Sequence, residues 1–105
     1  MALARTLDPA TSHQAAASII DARPTMKTIM DILRHGAASD EVIAYVYNGL
    51  VEAGRAPLAS PSGLRSRRAE LVDLGMVEDS GIRTTLVTNR KAIVWQLTAI
   101  GRIHD

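Results

Sequence analysis

The sequence contains no cysteine, so a disulfide framework, a thiol nucleophile and a thiolate metal site are all excluded. Phenylalanine is also missing, and one tryptophan and two tyrosines make up the whole aromatic content. Any core must therefore be assembled from Leu, Ile, Val, Met and Ala. No window approaches the roughly 18 uninterrupted apolar residues of a membrane-spanning helix, so no membrane partner is expected. The opening Met1-Ala2-Leu3-Ala4-Arg5 has no basic flank followed by an apolar run. No secretory leader is expected from it, and the cytoplasm is the expected location. His13, His35 and His104 stand too far apart for metal-ligand spacing. Ser12-His13 near Asp8 does not amount to a catalytic triad, which is a geometric constellation. With no glycine-rich phosphate loop and no paired-carboxylate motif, neither an enzyme nor a cofactor or metal is expected.

What is present is a chain of 105 residues, enough for one core and too short for two. An apolar fraction of 47% with 22% charged residues is the mixture of a globular protein rather than a disordered one. The formal net charge of +1 by itself points to no nucleic-acid partner. The placement of charge says more. Arg55, Arg65, Arg67 and Arg68 lie in a block without acids. Glu70, Asp73, Glu78 and Asp79 follow in a block without bases. Arg83, Arg90, Lys91 and Arg102 then form a second acid-free block. A fold that joined the two basic blocks would carry a basic face on a nearly neutral body.

Residues 1–23 are Ala-rich and read as an N-terminal arm, partly helical through Ile20, with Ile19 and Ile20 as its large anchors. Capping by Asp8-Pro9 or by Thr11-Ser12 would start that helix, and residues 1–8 are expected to fray. Pro24 restarts the chain. Met26, Ile29, Met30 and Leu33 then mark one face of a helix over residues 24–35, with Lys27 and Asp31 paired on the other side. Ser39 caps a second helix over 40–53, with Ile43, Val46, Tyr47 and Leu50 on its apolar face. Ser60-Pro61 is a strong start signal for a third helix, which runs through residue 74 to Gly75. Leu64, Leu71 and Val72 share its inner side, while Ser62, Arg65, Ser66, Ala69 and Asp73 share the outer one. The period then changes. β-Branched residues over 84–87, a turn at Thr88-Asn89-Arg90 and the alternation of Ile93, Trp95 and Leu97 with Val94, Gln96 and Thr98 predict a β-hairpin, with a turn or bulge at Ser80-Gly81.

The predicted fold is therefore mainly α with a β-hairpin, an α+β chain. Three core helices followed by a hairpin is the order of a winged helix-turn-helix over residues 24–98, leaving residues 99–105 as a tail. A helix can enter a DNA major groove when its outer face is small and carries donors, with phosphate-neutralising cations beside it. Ser60, Ser62, Gly63, Arg65 and Ser66 lie in the first turns of the third helix, where the helix dipole also favours a phosphate. Arg65 is the candidate for a base edge, since a guanidinium pairs in a bidentate way with guanine. Arg67, Arg68, Arg83, Arg90 and Lys91 are the candidate phosphate contacts. Arg68 has Glu70 or Asp73 as an alternative partner. Trp95 reads as core or hairpin cover, and Tyr45 and Tyr47 as packing or dimer residues.

The stretch from Ser60-Pro61-Ser62-Gly63-Leu64-Arg65-Ser66-Arg67-Arg68 through Leu74-Gly75-Met76-Val77, with Ala92-Ile93-Val94-Trp95 closing the wing, resembles small helix-turn-helix proteins of actinobacterial phages and prophages. The Leu71 to Val77 portion is also similar to the end of the recognition helix in MarR-like regulators. The resemblance covers about residues 24–98 and implies a winged helix that binds double-stranded DNA as a transcriptional regulator, with a homodimer as a further expectation. A winged helix that docks on a host or replication protein is the alternative, and the low net charge and Ala-rich arm favour it. Mobility-shift titration separates the two.

Overall fold

The structure is a computed structural model and describes residues 9–104, with side-chain surroundings from residue 14 onward. The expected fraying of residues 1–8 and a cap from Asp8 lie outside the described residues. The elements follow one another as α1 (Pro9–Asp21), α2 (Pro24–Arg34), α3 (Asp40–Glu52), α4 (Pro61–Asp73), β1 (Val77–Thr85), β2 (Lys91–Leu97) and α5 (Ala99–Ile103).

The helix starts follow from capping chemistry. Ser39 accepts from the Val42 amide at the head of α3, and Ser60 accepts from the Gly63 amide at the head of α4. Each serine replaces one of the hydrogen bonds that a first helical turn cannot make internally. Pro24 and Pro61 occupy first-turn positions, where a missing N–H costs nothing. Gly75 follows the last turn of α4 at φ 79°, a left-handed conformation suited to glycine.

α2 lies at the centre. Met26, Ile29, Met30, Ile32 and Leu33 are all buried, so its apolar face is wider than the four-residue stripe predicted from spacing. Asp31 pairs with Arg34 rather than with Lys27. The Arg34 guanidinium also donates to the His104 carbonyl, tying the end of the described chain to α2. From α1 the core receives Ala16 and Ile20, whereas Ile19 is 41% exposed and anchors little. α3 contributes Ile43 and Tyr47; Val46, read from spacing as a core residue, is 39% exposed. The Tyr47 hydroxyl donates to the Pro57 carbonyl at 2.6 Å, fixing the connector between α3 and α4 from inside the core.

β1 and β2 pair antiparallel, from Val77 opposite Leu97 to Thr85 opposite Lys91. The register slips between Asp79 and Arg83, where Gly81 sits at φ 85°. The expected break at Ser80-Gly81 is thus a bulge inside one continuous strand, not the end of a strand. Asn89 turns the hairpin at φ 67°, with Leu86 and Arg90 closing the loop across it. Two features were not predicted from the sequence. Ala38 exchanges both backbone hydrogen bonds with Trp95, each at 2.9 Å, so the α2–α3 link acts as a one-residue third strand. The predicted tail is the short helix α5, capped by Thr98, whose side chain accepts from the Gly101 amide.

Candidate nucleic-acid interface

α4 is held by Leu64 and Leu71, the two residues on it that are buried outright. That anchorage turns Ser62, Arg65, Ser66 and Ala69 to the surface, as the 100° spacing predicted. The two basic blocks meet. Arg65 of α4 lines one cleft of about 720 Å³ together with Arg90 and Lys91 of the hairpin, and Pro61, Leu86 and Ile93 are among its apolar walls. Among the described residues, Arg65, Arg90 and Lys91 make no ion pair. Three cations from two chain segments therefore face a common space.

The other four candidate cations or caps are engaged within the chain. Arg67 lies against Glu70: its Nε is 2.7 Å from Oε1 but out of line for a hydrogen bond, and its Nη2 donates to Oε2 at 3.2 Å. Arg83 meets Asp79 through two hydrogen bonds of 2.9 Å across the bulge. Arg68 pairs with neither Glu70 nor Asp73. Its Nε and Nη2 donate to the two carboxylate oxygens of Asp40 at 2.9 and 2.7 Å, and its guanidinium carbon lies 4.0 Å from the centroid of the Trp95 ring. Sequence spacing missed this because Asp40 is 28 positions away, at the head of α3. Ser60 is occupied as the cap, with Ser62 Oγ 3.3 Å from it. Gly63 lies close under that cap, where an added Cβ would come within 3.1 Å of Ser60 Oγ.

The helix terminus is a weaker anion site than expected. Pro61 has no N–H, the Gly63 amide bonds the Ser60 side chain, and the Leu64 amide bonds the Ser60 carbonyl. Only the Ser62 amide of that first turn is left for a ligand. The positive character of the surface thus comes chiefly from Arg65, Arg90 and Lys91. Asp40 and Glu41 border the same cleft, and Asp73 is exposed at the far end of α4. A polyanion would accordingly meet the N-terminal half of α4 and not its C-terminal end. The Trp95 ring is half-buried beneath Arg68 and offers no open stacking platform. Tyr47 is fully buried, whereas Tyr45 is 81% exposed.

The pair at the bulge has a testable electrostatic consequence. The Asp79 carboxyl is held below the ordinary value of 3.8, first by the hydrogen bonds from Arg83 and then by the Gly81 amide, against a smaller desolvation. A lowered folded-state value means that the pair stabilises the hairpin above the unfolded value and is lost as pH falls through the folded one. In a carboxyl-carbon NMR titration, the Asp79 midpoint should rise when Arg83 is replaced by Gln. Equal midpoints would reject the pairing.

Among the described residues, no group of three or more His, Asp or Glu side chains could hold a metal ion, and no helix is long and apolar enough to cross a membrane. No family model matches the chain, and no curated protein matches it. Among solved structures, the chain is similar to Bacillus subtilis PadR, crystallised in complex with operator DNA, with 24% identity and a TM-score of 0.61. The match covers 76% of this chain but 43% of that PadR chain, so the chain spans less than half the length of its structural relative. Helices α2, α3 and α4 with the β1–β2 hairpin thus form a winged helix in an α+β chain.

Proposed function

We propose that this protein binds double-stranded DNA sequence-specifically and regulates transcription, with α4 in the major groove and the hairpin on the adjacent backbone. The observation that carries the reading is the cleft where Arg65, Arg90 and Lys91 converge without ion-pair partners beside the exposed Ser62 and Ser66. Support comes from the likeness in fold to PadR, whose structure includes operator DNA. In this reading Arg65 contacts a base edge and Arg90 and Lys91 contact phosphates. Ser62 and Ser66 supply short hydroxyl donors, and Ser60 and Gly63 shape the helix head. Arg67, Arg68 and Arg83 are tied to acids and act at most at the edge of the contact. A two-fold operator would call for a homodimer, and the resemblance to small phage and prophage regulators, with the MarR-like end of α4, is the reason for proposing a phage or prophage regulator that acts in a host cytoplasm. The reading includes no catalytic step.

Two substitutions test it. Arg65→Ala should cost about 1–3 kcal/mol of binding to a selected duplex and relax preference at one base position. Lys91→Ala should weaken selected and random duplexes alike and lower the salt slope by about 0.9. Mobility-shift titrations at several salt concentrations check both. Equal losses on selected and random DNA for Arg65→Ala would remove its base-reading role. The second reading, docking on a protein, draws on the exposed Val42, Tyr45 and Val46 of α3. Absence of duplex binding at low salt would favour it.

A further inference from the structure

Arg68 was a candidate phosphate contact, yet its side chain is only 15% exposed and its Nε and Nη2 are already engaged by a carboxylate. One edge makes the bidentate pair with Asp40 of α3, and the flat face covers Trp95 of β2. One side chain therefore joins the helix proposed to read DNA, the helix before it and the hairpin. Trp95 is itself locked through both of its backbone hydrogen bonds to Ala38, one residue before the Ser39 cap of α3. Asp40 follows that cap directly, so a closed circuit runs Ala38, Asp40, Arg68, Trp95 and back to Ala38. Asp40, Arg68 and Trp95 of this circuit line the cleft in which Arg65, Arg90 and Lys91 converge.

We propose that Arg68 is a positioning residue for DNA recognition: clamped between Asp40 and Trp95, it sets the hairpin against α4 so that Arg65 reaches a base while Arg90 and Lys91 reach the backbone. The inference rests on the DNA-binding reading and deepens it. Without the clamp, α4 and the hairpin each still present their cations, but not at one fixed spacing. The ordering would then have to occur on binding, which lowers affinity for the site that needs both together. A guanidinium is suited to the task because its planar fork matches a carboxylate and its face stacks on an indole, neither of which an ammonium reproduces. Arg68→Lys therefore keeps a charge beside Asp40 while losing the geometry.

The test compares the unaltered chain with Arg68→Lys and with the double variant Asp40→Asn/Arg68→Met, which leaves no stranded carboxylate if the single change proves too disruptive. Thermal melting establishes that each variant is folded at the assay temperature. Emission of Trp95, the sole tryptophan, reports whether the cation has left the ring. With the clamp as proposed, the folded variants show altered emission, lose roughly tenfold in affinity for a selected duplex, and bind random duplex as before. Three results overturn it. Equal loss on selected and random DNA with a smaller salt slope would make Arg68 a phosphate contact. Unchanged discrimination in a folded variant with altered emission would make it a structural residue. Failure of the unaltered chain to bind any duplex would remove the DNA-binding reading and the clamp's role with it, which distinguishes that failure from the other two.

Discussion

Replacing Leu71 by alanine should lower the stability of the chain by about 2–5 kcal/mol, the largest effect expected of any substitution on α4. Leu71 has no exposed surface, and Leu64 at 3% is the other side chain of α4 buried to that degree. Apart from Pro61, Gly63, Ala69 and the half-buried Val72, the rest of the helix is serine, arginine and acid. A helix with so narrow an apolar anchor depends heavily on each part of it. The truncation removes transfer free energy and leaves a cavity against α2 and β1, which α4 touches on its inner side. For a domain of this size the melting temperature should fall by roughly 10–30 °C. Circular-dichroism melting of Leu71→Ala beside Arg65→Ala gives the contrast. Arg65 is exposed, so its removal should leave melting nearly unchanged while altering DNA preference. A melting shift of less than about 4 °C for Leu71→Ala would contradict the assignment of α4 to the core.

The second large effect is expected at Gly101, in the short terminal helix. A Cβ built there falls 2.2 Å from the Met76 carbonyl oxygen and 3.1 Å from its carbon. Those are backbone atoms at the entrance to β1, and the same carbonyl already accepts from the Thr98 amide at 3.0 Å. No side-chain rotation can relieve the contact. Gly101→Ala must lift α5 from the sheet or shift the start of β1, and Thr98 stands to lose its hydroxyl bond to the Gly75 carbonyl in doing so. Overpacking of this kind costs typically 1–3 kcal/mol, and a backbone clash belongs at the upper end. The melting temperature should drop by roughly 10–20 °C. Arg102→Ala is the control, because Arg102 is exposed on the same helix. If Gly101→Ala and Arg102→Ala melt together, the close approach of α5 to Met76 is wrong.

Much of the architecture was legible in the chain. The starts of α2, α3 and α4 are written in Pro24, Ser39-Asp40 and Ser60-Pro61, because capping is chemistry between neighbours in sequence. The outward face of α4 was legible for a similar reason, since 100° per residue carries Ser62, Arg65 and Ser66 to one side once Leu64 and Leu71 are placed inside. Local rules failed where a partner came from afar. Val46 keeps the spacing of a core residue, yet nothing packs over it enough to bury it. Ala38 has no strand propensity and becomes a strand residue only because Trp95 presents free backbone groups beside it. The tail became a helix because Thr98 could cap it and Gly101 could pass close to Met76.

Of the interface itself, sequence alone determined the supply: two acid-free basic blocks, a capped helix with a small polar face, and a hairpin with cations at its turn. Tertiary structure decided which of those cations are available. Charge on a side chain is an inherited property of the residue, but whether it meets an acid depends on distance, and a carboxylate 28 residues away can come within hydrogen-bonding reach. Folding therefore removed Arg68 from the free set and left Arg65, Arg90 and Lys91 facing one cleft.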